Sequence, residues 1–239
     1  MPRISLLGAA CSQAFGLSAL LRPRLVLVDY MIAGGGGNTS SYGGQAGGIV
    51  QIGSATISTI GSLSIVVGTA GVASSFNGVT AAGASDTAGH NGGSNPSYGG
   101  GSSAEWGWDD STYTTAGGGG AGANQAGGNG SIADVVGQQQ PTSGKGGDGK
   151  QWTVNGLYYG GGQQGSTYSA PGASQFGGGP GLGAATYGGG GHAGGVIVSY
   201  LSPIQLFTAG TVTSTGSGAT KRWFHEVSAT GTSALAPKY

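Results

Sequence analysis

The chain has 239 residues, of which 57 are glycine and only 16 are charged, eight of each sign. Eight prolines and no continuous Gly-X-Y register exclude a collagen triple helix. The lack of Lys and Arg clusters argues against nucleic-acid binding. The single cysteine, Cys11, excludes a disulfide framework and a cysteine-based zinc site. Low aliphatic content is compatible with disorder, but disorder on that criterion also needs net charge, which is zero here.

Residues 1–24 form a distinct N-terminal segment. Arg3 and the uncharged stretch after it imitate a bacterial leader peptide, but polar residues interrupt the apolar run. The same interruptions make it too weak for a membrane-spanning helix, so membrane insertion is not expected. We therefore expect an ordered arm, a short helix that docks on another subunit and ends at Pro23. Its heptad-like positions are Ile4, Leu7, Cys11, Ala14 and Leu21.

Blocks rich in β-branched residues follow, and the first, Leu25–Ala33, predicts a strand that is buried on both faces. Asn155-Gly156 predicts a hairpin, because both residues tolerate positive φ, and Asn77-Gly78 marks a second tight turn. No stretch between residues 25 and 201 has helical periodicity, so the sequence predicts an all-β scaffold. The later strand blocks are 49–60, 63–67, 75–82, 152–159 and 196–201.

Glycine is concentrated between the strands, with 51 of the 57 glycines lying between Gly34 and Gly195. One interpretation is a flexible linker, since glycine loses the most backbone entropy on ordering. The other is a bundle of extended polyglycine-II helices, which can bond laterally because no Cβ separates them. We favour the bundle, because aromatic residues and glutamine are interspersed among the glycines, whereas linkers are usually Gly/Ser repeats.

Four stretches in order resemble the glycine-rich domain of bacteriophage tail-fibre and other virion proteins. Residues 28–37 are similar to its opening strand and polyglycine run, and 191–200 to its closing strand. Between them, residues 63–71 resemble its strand and VGxGG segment, and 75–83 its SF, strand and AGG segment. The resemblance spans residues 25–201. It implies a β-sandwich-like or jelly-roll-like scaffold with glycine-rich excursions, used in structural or receptor-binding virion parts.

The chain departs from that family in two places. Residues 69–71 read Thr-Ala-Gly where glycines are commoner, and the acidic stretch at 102–115 is not part of the motif. The flanks also lie outside it. We therefore expect three regions: an N-terminal docking arm at 1–24, a glycine-rich β domain at 25–201, and a C-terminal extension at 202–239.

The most distinctive local chemistry combines aromatic and acidic side chains. Sugar C–H faces stack on indole rings while carboxylates accept hydrogen bonds from sugar hydroxyls, so the segment predicts a receptor site for glycan. Alternatively, one tryptophan fills the core and the acids solvate a loop. Calcium at the adjacent aspartates is a third interpretation, but two carboxylates fall short of its usual six to eight oxygen ligands. The site residues are Glu105, Trp106, Trp108, Asp109, Asp110 and Tyr113.

A second dense patch lies at residues 221–226, where Trp223 and Phe224 stand among charged residues. These aromatic residues either anchor the chain to a neighbouring subunit or virion protein, or belong to a locally packed hairpin.

Catalytic signals are lacking in the sequence. His90, His192 and His225 are dispersed, and neither a nucleophile elbow nor a zinc-protease motif is present. Matches to the dinucleotide fingerprint at Gly117 and Gly189 follow from composition, since neither opens a helix after a strand. We therefore expect a protein that is not an enzyme and uses no cofactor or metal.

The sequence as a whole predicts a structural protein on the exterior of a tailed-phage virion. The expected role is a short fibre or tail-tip component that assembles as a homo-oligomer, expected to be a trimer, and contacts the host surface or its glycans. One alternative is a capsid decoration or capsid fibre protein docked through its N-terminal arm. Another is a secreted glycine-rich matrix or ice-binding protein.

Overall fold

The computed structural model describes residues 23–38, 43–85, 90–109, 112–135, 138–168 and 184–238. Strands dominate this part of the chain, and its one helical element is a single 3₁₀ turn at Gly218–Thr220, so the predicted all-β fold is confirmed. The heptad positions of the predicted N-terminal arm, Ile4, Leu7, Cys11, Ala14 and Leu21, lie outside the described residues. In chain order the strands are Leu25–Ala33 (β1), Val50–Ser58 (β2), Leu63–Val67 (β3), Ser74–Phe76 (β4), Val79–Ala81 (β5), Ala104–Asp109 (β6), Thr112–Ala116 (β7), Ser131–Val135 (β8), Gln138–Thr142 (β9), Lys150–Trp152 (β10), Leu157–Tyr159 (β11), Thr167–Tyr168 (β12), Gly195–Leu201 (β13), Phe207–Thr208 (β14), Thr211–Thr215 (β15), Arg222–Val227 (β16) and Gly231–Pro237 (β17).

Two five-stranded sheets form the base of the molecule. The first has the order β15-β16-β13-β1-β2 and the second β14-β17-β3-β4-β5, with antiparallel pairing throughout. Apolar side chains from both sheets form one core, so the predicted β-sandwich is confirmed. The largest fully buried members of this core are Ile32, Ile65, Phe76, Tyr200, Phe207 and Leu235.

Strand β1 shows how the layers are arranged. Val28 and Ile32 point into the sandwich core, whereas Met31 faces the outer side of the first sheet. There the β10-β11 hairpin covers the sheet and packs Trp152 against it, which creates a smaller second core. The first half of β1 has no such cover, and Leu27 is 66% exposed. The prediction that β1 is buried on both faces is therefore correct only for its second half.

The two predicted turns differ in type. Asn77 and Gly78 both have positive φ, 50° and 78°, as a two-residue type I′ turn between β4 and β5 requires. The β10-β11 hairpin also forms, but Trp152 pairs with Leu157, so four residues connect the strands. In that connection only Gly156 has positive φ, and its amide donates to the Trp152 carbonyl. Asn155 instead accepts a hydrogen bond from the amide of Leu157 through its side-chain Oδ1.

Residues 202–238 are an integral part of the sandwich, which corrects the predicted boundary at residue 201. Strand β16 lies between β15 and β13 in the first sheet, and β17 lies between β14 and β3 in the second. The C-terminal region therefore supplies interior strands to both sheets. The Thr- and Ser-rich sequence of this region does not indicate interior strands, because only a few of its side chains, such as Phe207 and Leu235, reach the core.

The glycine-rich excursions form an ordered array on one end of the sandwich, as the polyglycine-II interpretation predicts. Its central segment, residues 117–123, has a three-residue period: the amides of Gly117, Gly120 and Ala123 all donate to one neighbouring segment. The other amides donate to two further segments, and its carbonyls accept from three more. The six surrounding segments are residues 43–49, 90–94, 99–102, 125–130, 143–148 and 160–166.

Close backbone approach explains why this array needs glycine. A Cβ atom on Gly118, Gly119 or Gly120 would lie less than 3.0 Å from a backbone carbonyl of a neighbouring segment. Since these carbonyls are themselves hydrogen-bond acceptors, they cannot move aside without breaking the lateral bonds. Glycine is thus required here chiefly for space between chains, because these three positions do not have positive φ.

Asn95 completes the hydrogen bonding where one segment of the array ends. Its buried side-chain amide donates to the carbonyls of Gly47 and Gly122, each at 3.0 Å. Its Oδ1 accepts from the amides of Ser97 and Tyr98, which turns the chain. One side chain therefore supplies the donors that another polyglycine segment would otherwise provide.

Candidate functional site

The predicted glycan site lies on a hairpin at the end of the array away from the sandwich. Strands β6 and β7 pair there with a bulge between Gly107 and Asp109, and β12 joins β7 on its other edge. Glu105, Trp106, Trp108 and Asp109 fall on β6 and Tyr113 falls on β7, opposite Gly107. Asp110 lies outside the described residues. Glu105 and Asp109 thus lie on a paired strand, whereas the alternative interpretation placed the acids on a loop.

The array holds this hairpin away from the sandwich. Strand β7 continues directly into the central segment, whose other end, Ala123, packs against the core beneath the β10-β11 hairpin. Seven residues at about 3.1 Å each separate the two by roughly 20 Å. At the far end, Asn91 and Asn129 accept hydrogen bonds from the amides of Ser103 and Ser102, which fixes the start of β6.

The acidic residue that begins the site is paired with a histidine. Nδ1 of His90 lies 2.6 Å from Oε1 of Glu105, and the Glu105 side chain is 47% exposed. No sequence pattern connects these two residues, because the pairing depends on the lateral contact between residues 90–94 and the central segment. One carboxylate of the predicted site is therefore engaged by an imidazole.

Sequence analysis also missed a groove of about 740 Å³ on the outer face of the first sheet. The groove runs between the β10-β11 hairpin and the β15-β16 hairpin. Tyr159, Tyr187 and Phe224 give it aromatic surface, Glu226 and Thr213 line it with oxygen atoms, and Ile197 lies in the sheet beneath. Its volume falls in the range of about 300–1,000 Å³ that is typical of ligand pockets.

Tyr187 is held in place within this groove. A Cβ on Gly195 would lie 2.5 Å from Cγ of Tyr187, so the missing side chain lets the ring rest on the strand. The ring is nearly parallel to that of Tyr159, at 7° with centroids 6.4 Å apart. Its hydroxyl donates a short hydrogen bond to Oε1 of Glu226. Burial and this carboxylate together raise the pKa of Tyr187 to about 12, so the phenol keeps its proton.

The predicted anchoring residues Trp223 and Phe224 have contacts within the chain. Nε1 of Trp223 donates to the Ser202 carbonyl, and Lys221 Nζ lies 4.3 Å above the indole ring. Phe224 packs edge-on against Trp152. Both aromatic side chains therefore pack within the chain, against β10 and the residue after β13 rather than inside a local hairpin. Anchoring to a neighbouring subunit stays a prediction.

Two further kinds of feature concern metal ions and membranes, within the same described ranges. They contain no group of three or more His, Cys, Asp or Glu side chains that could hold a metal ion. Within them, no helix has the length and apolar character needed to span a bilayer.

Comparison with protein families, curated proteins and solved structures gave no match to this chain.

Proposed function

We propose that the chain is a structural protein on the exterior of a tailed-phage virion, a short fibre or tail-tip component that contacts the host surface. In this proposal it has no enzymatic activity and assembles with other copies of itself and with other virion proteins. The observation that carries the proposal is the central segment 117–123, which is enclosed by six others and directly follows the β7 strand of the far hairpin.

The physical reason is mechanical. A chain enclosed by six neighbours has its backbone donors and acceptors bonded laterally. The array therefore holds the far hairpin in a fixed position without relying on side-chain burial. It presents a hairpin about 20 Å from the sandwich. That hairpin carries Trp106, Trp108 and Asp109, residue types suited to sugar recognition. This arrangement supports contact with a host glycan at the far end.

The location is tested by immunogold electron microscopy of particles produced from the genome that encodes this chain. Gold labels at the tail tip or on short fibres are the expected result. Labels spread over the capsid would favour the decoration role instead. Particles without label, together with chain recovered only from the culture medium, would overturn a virion role and favour a secreted matrix protein.

The contact surface is tested with the purified full chain, labelled and applied to the host cells. Trp106→Ala and Trp108→Ala are each expected to reduce cell binding about tenfold or more, since each removes an aromatic stacking surface. Leu27→Ala is the control, because it truncates an exposed apolar side chain on the first half of β1, away from the array. Equal binding by all three variants and the unaltered chain would contradict a glycan site at the hairpin.

A further inference from the structure

The groove on the outer face of the first sheet has the composition of a ligand site. Its centre is aromatic, with Tyr187 and Phe224, while Glu226, Thr213, Thr215 and Asn155 contribute oxygen and nitrogen atoms around it. An apolar surface with a few convergent polar groups is the usual form of a small-molecule pocket. The far hairpin contributes none of these residues, so the groove is a separate feature of the molecule.

The aromatic surface is preorganised. Gly195 lets the Tyr187 ring lie against β13, and the hydrogen bond from the Tyr187 hydroxyl to Glu226 fixes the ring in its plane. Tyr159 is only 3% exposed and lies nearly parallel to Tyr187, with ring centroids 6.4 Å apart, which limits rotation of the Tyr187 ring. A ligand that stacks on this surface therefore does not need to order it first.

The charge of the lining restricts the class of ligand. Glu226 supplies a carboxylate, His192 is the basic side chain of the lining, and none of the described residues that line the groove is Lys or Arg. Phosphate, sulfate and carboxylate groups would therefore find no Lys or Arg partner and would be repelled by Glu226. A neutral ligand that is flat on one side and rich in hydroxyl groups matches the aromatic surface and the oxygen atoms of this lining.

We propose that this groove binds a short neutral oligosaccharide. The C–H face of a sugar ring stacks on Tyr187, and its hydroxyls donate to Glu226 and exchange hydrogen bonds with Thr213 and Thr215 on the edge strand β15. The site lies on the sandwich and is independent of the proposed receptor hairpin. It adds a saccharide-binding surface to the base of the protein.

Isothermal titration calorimetry of the full chain with maltotriose, cellotriose, mannotriose and N-acetylchitotriose tests the proposal. At least one of these neutral trisaccharides should bind. Tyr187→Ala should weaken that binding about tenfold or more, because it removes the stacking surface. Glu226→Gln keeps the shape of the side chain and should weaken it about fivefold, because a neutral amide is a poorer acceptor than a carboxylate.

Two controls locate the site. Tyr158→Ala truncates a tyrosine that neighbours Tyr159 on β11 but does not line the groove, and it should bind as the unaltered chain does. Trp106→Ala alters the far hairpin and should also leave trisaccharide affinity unchanged, which separates this test from that of the proposed function. Circular dichroism of each variant verifies folding.

Two outcomes would overturn the proposal. The first is that the unaltered chain binds none of the four probes. The second is that a probe binds Tyr187→Ala and Glu226→Gln as tightly as it binds the unaltered chain, which would place the sugar elsewhere.

Discussion

The hydroxyl group of Tyr200 lies 3.1 Å from Nε2 of the buried residue His225, and the two rings are nearly parallel. The same hydroxyl accepts hydrogen bonds from the amides of Leu206 and Phe207. Its own proton is therefore left for His225, whose Nε2 must be the unprotonated nitrogen. This contact joins β13 and β16 to the chain that crosses from the first sheet to the second, and it requires a neutral imidazole.

The stability of the protein should therefore fall in mild acid. Burial, only partly offset by the backbone of Ala209, lowers the pKa of His225 from 6.5 to about 4. Between these two pH values the unfolded chain binds a proton that the folded chain does not, so stability rises with pH up to about 6.5 and then levels off. From pH 7 to pH 5 the free energy of unfolding should decrease by about 2 kcal/mol through this group alone.

Urea denaturation at pH 5 and pH 7 measures this effect. His225→Gln should remove most of this contribution, whereas His192→Gln, at an exposed position, should retain it. The carboxylates contribute equally in all three proteins, so the difference between the variants isolates His225. Identical pH dependence in His225→Gln and the unaltered chain would contradict the assignment.

Replacing one central glycine of the array should destabilise the fold strongly. A Cβ on Gly119 would lie less than 3.0 Å from the Lys145 carbonyl, which is itself hydrogen-bonded to Gly128. Gly119→Ala should therefore lower the free energy of unfolding by about 3 kcal/mol. Gly99→Ala is the matched control, because a Cβ there meets no atom within 4 Å and φ is not positive.

Gly99→Ala should be neutral or stabilise the fold by about 0.5 kcal/mol, since alanine restricts the unfolded chain. Thermal melting of both variants by circular dichroism gives the comparison. Similar melting temperatures for Gly119→Ala and Gly99→Ala would show that the array does not need close backbone contact.

Removing the side-chain amide of Asn95 should also lower the free energy of unfolding. Asn95→Ala leaves the carbonyls of Gly47 and Gly122 without those donors in the interior, a loss of about 3 kcal/mol. Asn129→Ala also removes a hydrogen bond, to the Ser102 amide, but at an exposed position where water replaces it. Its cost should be about 1 kcal/mol or less. Chemical denaturation of both variants tests the ranking, and equal costs would contradict it.

A chain that ends at residue 201 should fail to fold, because it lacks β16 from the interior of the first sheet and β17 from the interior of the second. It also lacks Phe207 and Leu235, two fully buried core residues. Limited proteolysis should degrade this chain rapidly, whereas one that ends at Lys238 should resist. Protease-resistant product from the 201-residue chain would indicate that residues 202–238 are the separate extension that the sequence predicts.

The sequence by itself determined the strand blocks and the chemistry of the glycine-rich region. The block 25–33 became β1 and the block 63–67 became β3, because β-branched runs bounded by glycine have few alternatives to a buried strand. Asn77-Gly78 determined its own turn, since its positive φ angles are a local property. High glycine content with interspersed aromatic residues correctly predicted a packed array of extended chains.

Only the tertiary structure decided which segments became neighbours. Hydrogen bonds between backbone groups are the same for every residue type, so nothing in the residues 117–123 specifies their six neighbours. For the same reason the sequence could not pair Glu105 with His90, or bring Tyr187 and Glu226 together in the groove. The Thr-rich strands near the C-terminus were missed because their place in the sheets depends on backbone pairing more than on apolar side chains. Side-chain pattern fixes local conformation, whereas contacts made through the backbone are decided by the whole fold.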